Sequence, residues 1–235
     1  MKNNWRIDMK KILCLVIFMA ISMTTPVLAE GNTSNPINLP NQSQTQDSQD
    51  KFQNAKYRNS CFANAVINGD VRLVESFINL GYDVNTKHAS VPVIFLAVQQ
   101  NQNEVLELLL ANGANPNVTY MSEPVAMFAV LKENIEVLNL LLKYGANVNS
   151  DVEGDNLLRE AIRKQNPEMV QLLVNYKADV NQETFGKTPL NYAIQQKRAD
   201  IVEILLKSGA KTNAQTEKLL KKSKAPQMRL LFEEK

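Results

Sequence analysis

Apolar residues recur through the middle of the chain at steps of three and four, the spacing that lines one face of an α-helix. Val71, Val74, Phe77 and Ile78 form one such set, and Val105, Leu106, Leu108, Leu109 and Leu110 fill another. Each set is short and follows a second short apolar run, so the pattern predicts pairs of short helices. Expected first helices cover 93–100, 125–132 and 188–196; expected second helices cover 135–144 and 199–208. The pattern also has a long period. Asn85, Asn117, Asn149, Asn181 and Asn213 are 32 residues apart, and so are Ala65, Ala97, Ala129, Ala161 and Ala193. A shared period of this length marks a solenoid of stacked units.

Physical reasons fix several of these columns. Neighbouring helices approach to roughly 8–10 Å only where the contact residue is small, which accounts for the alanines. The next position, Val66, Val98, Val130, Ile162 and Ile194, is an apolar line through the stack. Gly81, Gly113, Gly145 and Gly209 follow the second helices, where a left-handed residue satisfies free carbonyls. Lys177 takes that place in the fourth unit. Asp70, Asn134 and Asn166 stand where a side chain can cap the second helices, and Pro167 fits the first helical position because that N–H has no helical partner.

The residues TPLNYA at 188–193, IVEILLKSGA at 201–210 and the GxxxN ending of most units resemble ankyrin repeats. The resemblance covers residues 60–213 and implies an all-α, ankyrin-type helical solenoid: five repeats, followed by a degenerate capping repeat at 214–235. It departs from the family in the turns. Only the fifth unit keeps the TPL run, Pro92 and Pro124 sit one place early, and each unit is one residue short of the usual length of about 33. The resemblance further implies a curved stack with projecting turns that binds another protein and uses no cofactor.

Composition adds a compartment. Lys2, Arg6, Lys10 and Lys11 precede an apolar run from Ile12 to Met23, and Val27-Leu28-Ala29 offers a cleavage site. Residues 1–29 therefore read as a cleavable signal peptide of bacterial type, which predicts a periplasmic or secreted protein with no membrane insertion after cleavage. The alternative is a retained anchor, since 12–29 is free of charge for 18 residues. Residues 30–50, rich in Asn, Gln, Ser and Pro, read as a disordered tether, and 51–59 as a short helix covering the first unit. The full chain holds 26 Lys plus Arg and 24 Asp plus Glu, but from Glu30 onward the balance is 22 to 23. Without a basic cluster carrying interleaved aromatics, nucleic acid is not an expected partner. The expected state is a monomer.

Chemistry is sparse. Cys61 is expected at a helix start as a small buried hydrophobe of the end repeat; the alternative is a reactive or bridged thiol, its thiolate favoured by the dipole, and with it a thiol-dependent enzyme in place of a binding role. His88, the chain's one histidine, falls in a turn, and no third group is evident to orient a nucleophile–base pair. Asp151, Glu153 and Asp155 lack Ca²⁺-loop spacing, and no zinc set or phosphate-binding loop occurs, so no catalytic, cofactor or metal residue is assigned.

The recognition surface is more informative. In an ankyrin-like stack the turn tips and the ends of the first helices line one face. Those positions hold Tyr120, Met121 and Phe185 in tips, and Gln99, Leu131, Arg163, Lys164 and Gln195 at helix ends. Tyr120, Met121, Leu131 and Phe185 are apolar where water is expected, and aromatics near Arg are the usual interface anchors. The chain is thus expected to be a non-enzymatic interaction module, either a periplasmic adaptor or inhibitor of another protein or a secreted effector acting on a host protein.

Overall fold

A computed structural model of the chain describes residues 55–152, 154–222 and 226–233. The signal peptide, the tether and the 51–54 part of the expected short helix lie outside these residues, as do Glu153 and Lys224. The chain divides into two compact units, Met1–Asn64 and Ala65–Lys235. Of the first, only the start of helix α1 (Ala55–Asn68) is described, and that helix runs on without a break at residue 59.

The second unit repeats one plan. After α2 (Val71–Asn79) comes a hairpin, β1 (Lys87–His88) with β2 (Val91–Pro92), then α3 (Val93–Gln99) and α4 (Asn103–Ala111). The plan recurs as β3 (Thr119–Tyr120), β4 (Glu123–Pro124), α5 (Val125–Leu131) and α6 (Ile135–Lys143). It recurs again as β5 (Asp151–Val152), β6 (Asp155–Asn156), α7 (Leu157–Arg163) and α8 (Pro167–Asn175). A bridge between Thr184 and Lys187 then leads to α9 (Pro189–Gln195) and α10 (Ala199–Lys207), and α11 (Ala214–Lys222) and α12 (Pro226–Glu233) follow with no hairpin before them.

Helices of seven and nine residues are too short to stand alone in water, so their stability comes from stacking. From α3 to α9 each first helix packs on its own second helix and on its neighbour in the row of first helices, and the second helices pack along their own row. The alanine column is buried throughout, and Val66, Val98, Val130 and Ile162 are fully inaccessible. Leu106, Leu109, Leu138, Leu141, Leu173 and Leu205 fill the second-helix side of the core. Truncating one such leucine to alanine typically costs about 2–5 kcal/mol.

The expected caps form. The side chains of Asp70, Asn134 and Asn166 accept from the backbone N–H of Leu73, Val137 and Met169 at 3.1, 3.0 and 3.0 Å. The four terminating glycines have φ between 79° and 92°, and Lys177 holds the same left-handed conformation at 69°. A second left-handed column lies between the paired helices, at Gly69, Asn101, Glu133, Gln165 and Lys197. Gly69 has a local reason to be glycine: a Cβ there would stand 2.3 Å from Gln102 Oε1, and Gln102 Nε2 donates to the Ile67 carbonyl.

The asparagine column ties unit to unit. Asn85 Nδ2 donates to the Gly113 carbonyl at 3.1 Å while its Oδ1 accepts from Asn115 N–H at 2.8 Å. Asn117 does the same with Gly145 and Asn147, Asn149 with Lys177 and Asp179, and Asn181 with Gly209 and Lys211. The last rung changes partner: Asn213 Oδ1 accepts from Thr216 N–H and from Asn191 Nδ2, within a buried set closed by the Thr216 hydroxyl donating to Asn191 Oδ1. That network fixes where α11 begins.

Candidate interaction surface

The hairpins that join the units are as short as hairpins can be. Pairing of His88 with Val91 and of Tyr120 with Glu123 leaves two-residue loops, Ala89-Ser90 and Met121-Ser122. Both loop residues have positive φ, 48° and 69° in the first loop and 52° and 67° in the second. This is the type I′ geometry, whose twist matches the strands and which Asn-Gly fills best. Phe185-Gly186 follows suit at 48° and 69°. Bulky residues therefore stand at places that cost an L-residue about 1 kcal/mol or more.

These tips project. Met121 is 76% exposed and Phe185 63%, and Leu131, at the end of α5, is 39% exposed. Met121 and Phe185 occupy the same turn position in units 64 residues apart. Tyr120 behaves differently. It is half-buried, with its ring 4.3 Å from Phe95 and 6.4 Å from Phe128, so it joins an aromatic cluster under the tip. The sequence places it in water because the Phe95 contact crosses from one unit to the next.

Gln99, Leu131, Arg163 and Gln195 fall at the same place, in the last turn of α3, α5, α7 and α9. Gln99 and Gln195 are exposed; the Gln99 carbonyl accepts from Lys132 Nζ, and Gln195 Oε1 accepts from Lys187 Nζ at 2.9 Å. The Arg163 guanidinium is engaged inside the chain, donating from Nε and Nη2 to the buried Glu160 carboxylate at 2.6 and 2.5 Å. That hydrogen-bonded carboxylate holds Arg163 above its usual range. Lys164 is half-buried and lies 3.6 Å from Glu133. Charge on this side of the face is thus largely compensated in place.

Sequence reading missed Arg159. Its guanidinium is stacked between the Phe185 and Tyr192 rings, 4.7 and 4.8 Å from their centroids. Nε donates to Asp155 at 3.0 Å and Nη1 to Thr184 at 3.3 Å. The signal was present as Asp155 and Arg159 at i and i+4. The Phe185 ring also lies over Gly154, where a Cβ would meet it at 3.2 Å.

Cys61 is buried, as a small hydrophobe of the end repeat would be, but it lies inside α1 and not at a helix start. His88 is half-buried in β1. Among the described residues no group of His, Cys, Asp or Glu could hold a metal, and no helix is long and apolar enough to cross a membrane.

No curated protein sequence matches the chain. Among solved structures, the ankyrin repeat domain of human ASB11 superposes with a TM-score of 0.53 at 20% identity, over 74% of this chain and 97% of that one. The family model for ankyrin repeats (3 copies) matches residues 62–151 and 126–216. Those segments span well over half of the sequence and carry the helix pairs, the hairpins and the asparagine column, and the chain belongs to the ankyrin repeat family, whose members are generally modules for binding other proteins.

Proposed function

We propose that this protein is an exported, monomeric, non-enzymatic binding module, a periplasmic adaptor or inhibitor of another protein, which grips its partner with the hairpin tips and first-helix ends. The observation that carries the reading is the pair Met121 and Phe185. Each is large, apolar and mostly exposed, and each sits on left-handed backbone that a smaller residue would fill at lower energy. Strain kept at exposed apolar positions is a mark of sites selected for contact rather than stability. The export half of the reading rests on the basic start, apolar run and Val27-Leu28-Ala29 ending of the leader.

The test begins by capturing a partner from the cell envelope with the chain and identifying it. Met121→Ala and Phe185→Ala should then each weaken the purified pair by about tenfold to thirtyfold, roughly 1.4–2 kcal/mol. A Lys218→Ala/Lys221→Ala variant, altered on the exposed side of α11, should bind as the parent does at physiological salt. Face variants that bind like the parent would overturn the assignment of the surface. Recovery of the chain in the cytoplasm with residues 1–29 intact would overturn its export.

A further inference from the structure

Two neighbouring hairpins treat the same position differently. Glu123 and Asp155 are equivalent, each paired across its hairpin, with Tyr120 and with Val152. Residues directly opposite in an antiparallel pair share a face, so the Glu123 side chain lies on the Tyr120 side of its hairpin. Asp155 is answered from its own unit by Arg159, four residues on, whose guanidinium is held between two rings. The residue four on from Glu123 is Met127, which is buried and carries no charge.

Glu123 accordingly has no such partner among the described residues. Among the described residues no donor or cation reaches its carboxylate, and Oε2 is buried with no hydrogen bond. A half-buried carboxylate with an enclosed, orphaned oxygen is costly, and a cationic donor arriving on the carboxylate's exposed side would offset part of that cost. Beside it stands the Tyr120 ring, backed by Phe95 and Phe128, and aromatic faces attract cations. The neighbouring tip on one side carries the exposed acid Asp151 and that on the other the exposed base Lys87, with exposed Glu183 a further unit along, so the attraction rests on Glu123 and the ring beside it.

Resting on the protein-binding reading above, we propose that Glu123 and the Tyr120 cluster recognise an arginine side chain presented by the partner protein. The partner would complete between molecules the carboxylate, guanidinium and aromatic arrangement that Arg159 completes within the chain one unit later. Arginine fits better than lysine because a planar guanidinium can donate to the carboxylate and stack on a ring at once.

The probe is N-acetyl-arginine amide, titrated into the full chain and followed by amide NMR. Saturable shifts should centre on Tyr120, Glu123 and Phe128. The lysine analogue should bind more weakly and the neutral citrulline analogue not at all, a comparison that needs no variant. Glu123→Gln, with unchanged spectral dispersion, should weaken arginine binding by about tenfold or more. The proposal is overturned by no response, by equal shifts with citrulline, by a preference for lysine, by shifts centred on Asp151 or Glu183, or by full binding in Glu123→Gln. If the probe fails while Met121→Ala and Phe185→Ala still weaken the captured partner, the arginine site is wrong and the binding surface stands.

Discussion

Asn117 and Met121 are four residues apart and belong to opposite regimes. The Asn117 amide is engaged at both ends, donating to the Gly145 carbonyl at 3.0 Å and accepting from Asn147 N–H at 2.7 Å. Met121 leaves 76% of its surface in water and sits at a φ of 52°. From Asn85 to Asn181 the asparagine column has one residue type because its partners are backbone groups at the same two places in each next unit. The tip column varies in the sequence, Ala89, Met121, Glu153, Phe185, and its described members make no hydrogen-bonded rung of that kind. A stack of this kind separates what holds it together from what it offers.

The largest expected effect breaks the first regime. Asn117→Ala removes two inter-unit hydrogen bonds and should destabilise the stack by about 2 kcal/mol. The denaturant midpoint should fall with little change in slope. A midpoint equal to the parent's would mean that water replaces the rung without loss. Met121→Asn then separates the regimes: asparagine tolerates the left-handed turn, so stability should rise by up to about 1 kcal/mol while affinity for the captured partner falls. A rise in both would remove Met121 from the interface. The smallest effect is at Lys177, which at 69° occupies the glycine position of the other units. Lys177→Gly relieves about 1 kcal/mol of backbone strain but loses chain entropy of similar size, so a gain of a few tenths is expected by denaturant titration. Clear destabilisation would show that the Lys177 side chain contributes a contact.

What could be read from the sequence follows the same division. The alanine and valine columns, the caps at Asp70, Asn134 and Asn166, and the left-handed Lys177 were all legible, since each is local or set by a strict period. The hairpins were not, because Ala89-Ser90 and Met121-Ser122 lack the Asn-Gly chemistry that announces a type I′ turn. Nor was the second left-handed column legible, since four of its five members, Asn101, Glu133, Gln165 and Lys197, are ordinary polar residues. The asparagine spacing was plain, but its bonds reach backbone atoms 28 and 30 residues away, which no side-chain pattern displays. On the candidate surface, Met121, Phe185 and Leu131 stand in solvent as their positions suggest. The half-burial of Tyr120 and the engagement of Arg163 by Glu160 depend on packing between units and along a helix face.

The asparagine rungs also make the chain editable. Every rung from Asn85 to Asn181 spans the same interval, so each asparagine meets the next unit through the same two backbone atoms whichever unit that is. Excision of residues 118–149 would bring Asn117 to the Lys177 carbonyl and the Asp179 N–H, the two groups that Asn149 now holds. Units can therefore be lost, duplicated or shuffled without retuning this rung, although unit-specific pairs such as Lys143 with Glu107 and Tyr176 with Asn139 would change. The rung is generic, whereas a tip such as that of Phe185 leans on Arg159 of the unit before it, so exchanging a segment would carry the rung over unchanged but not the packing of its tip.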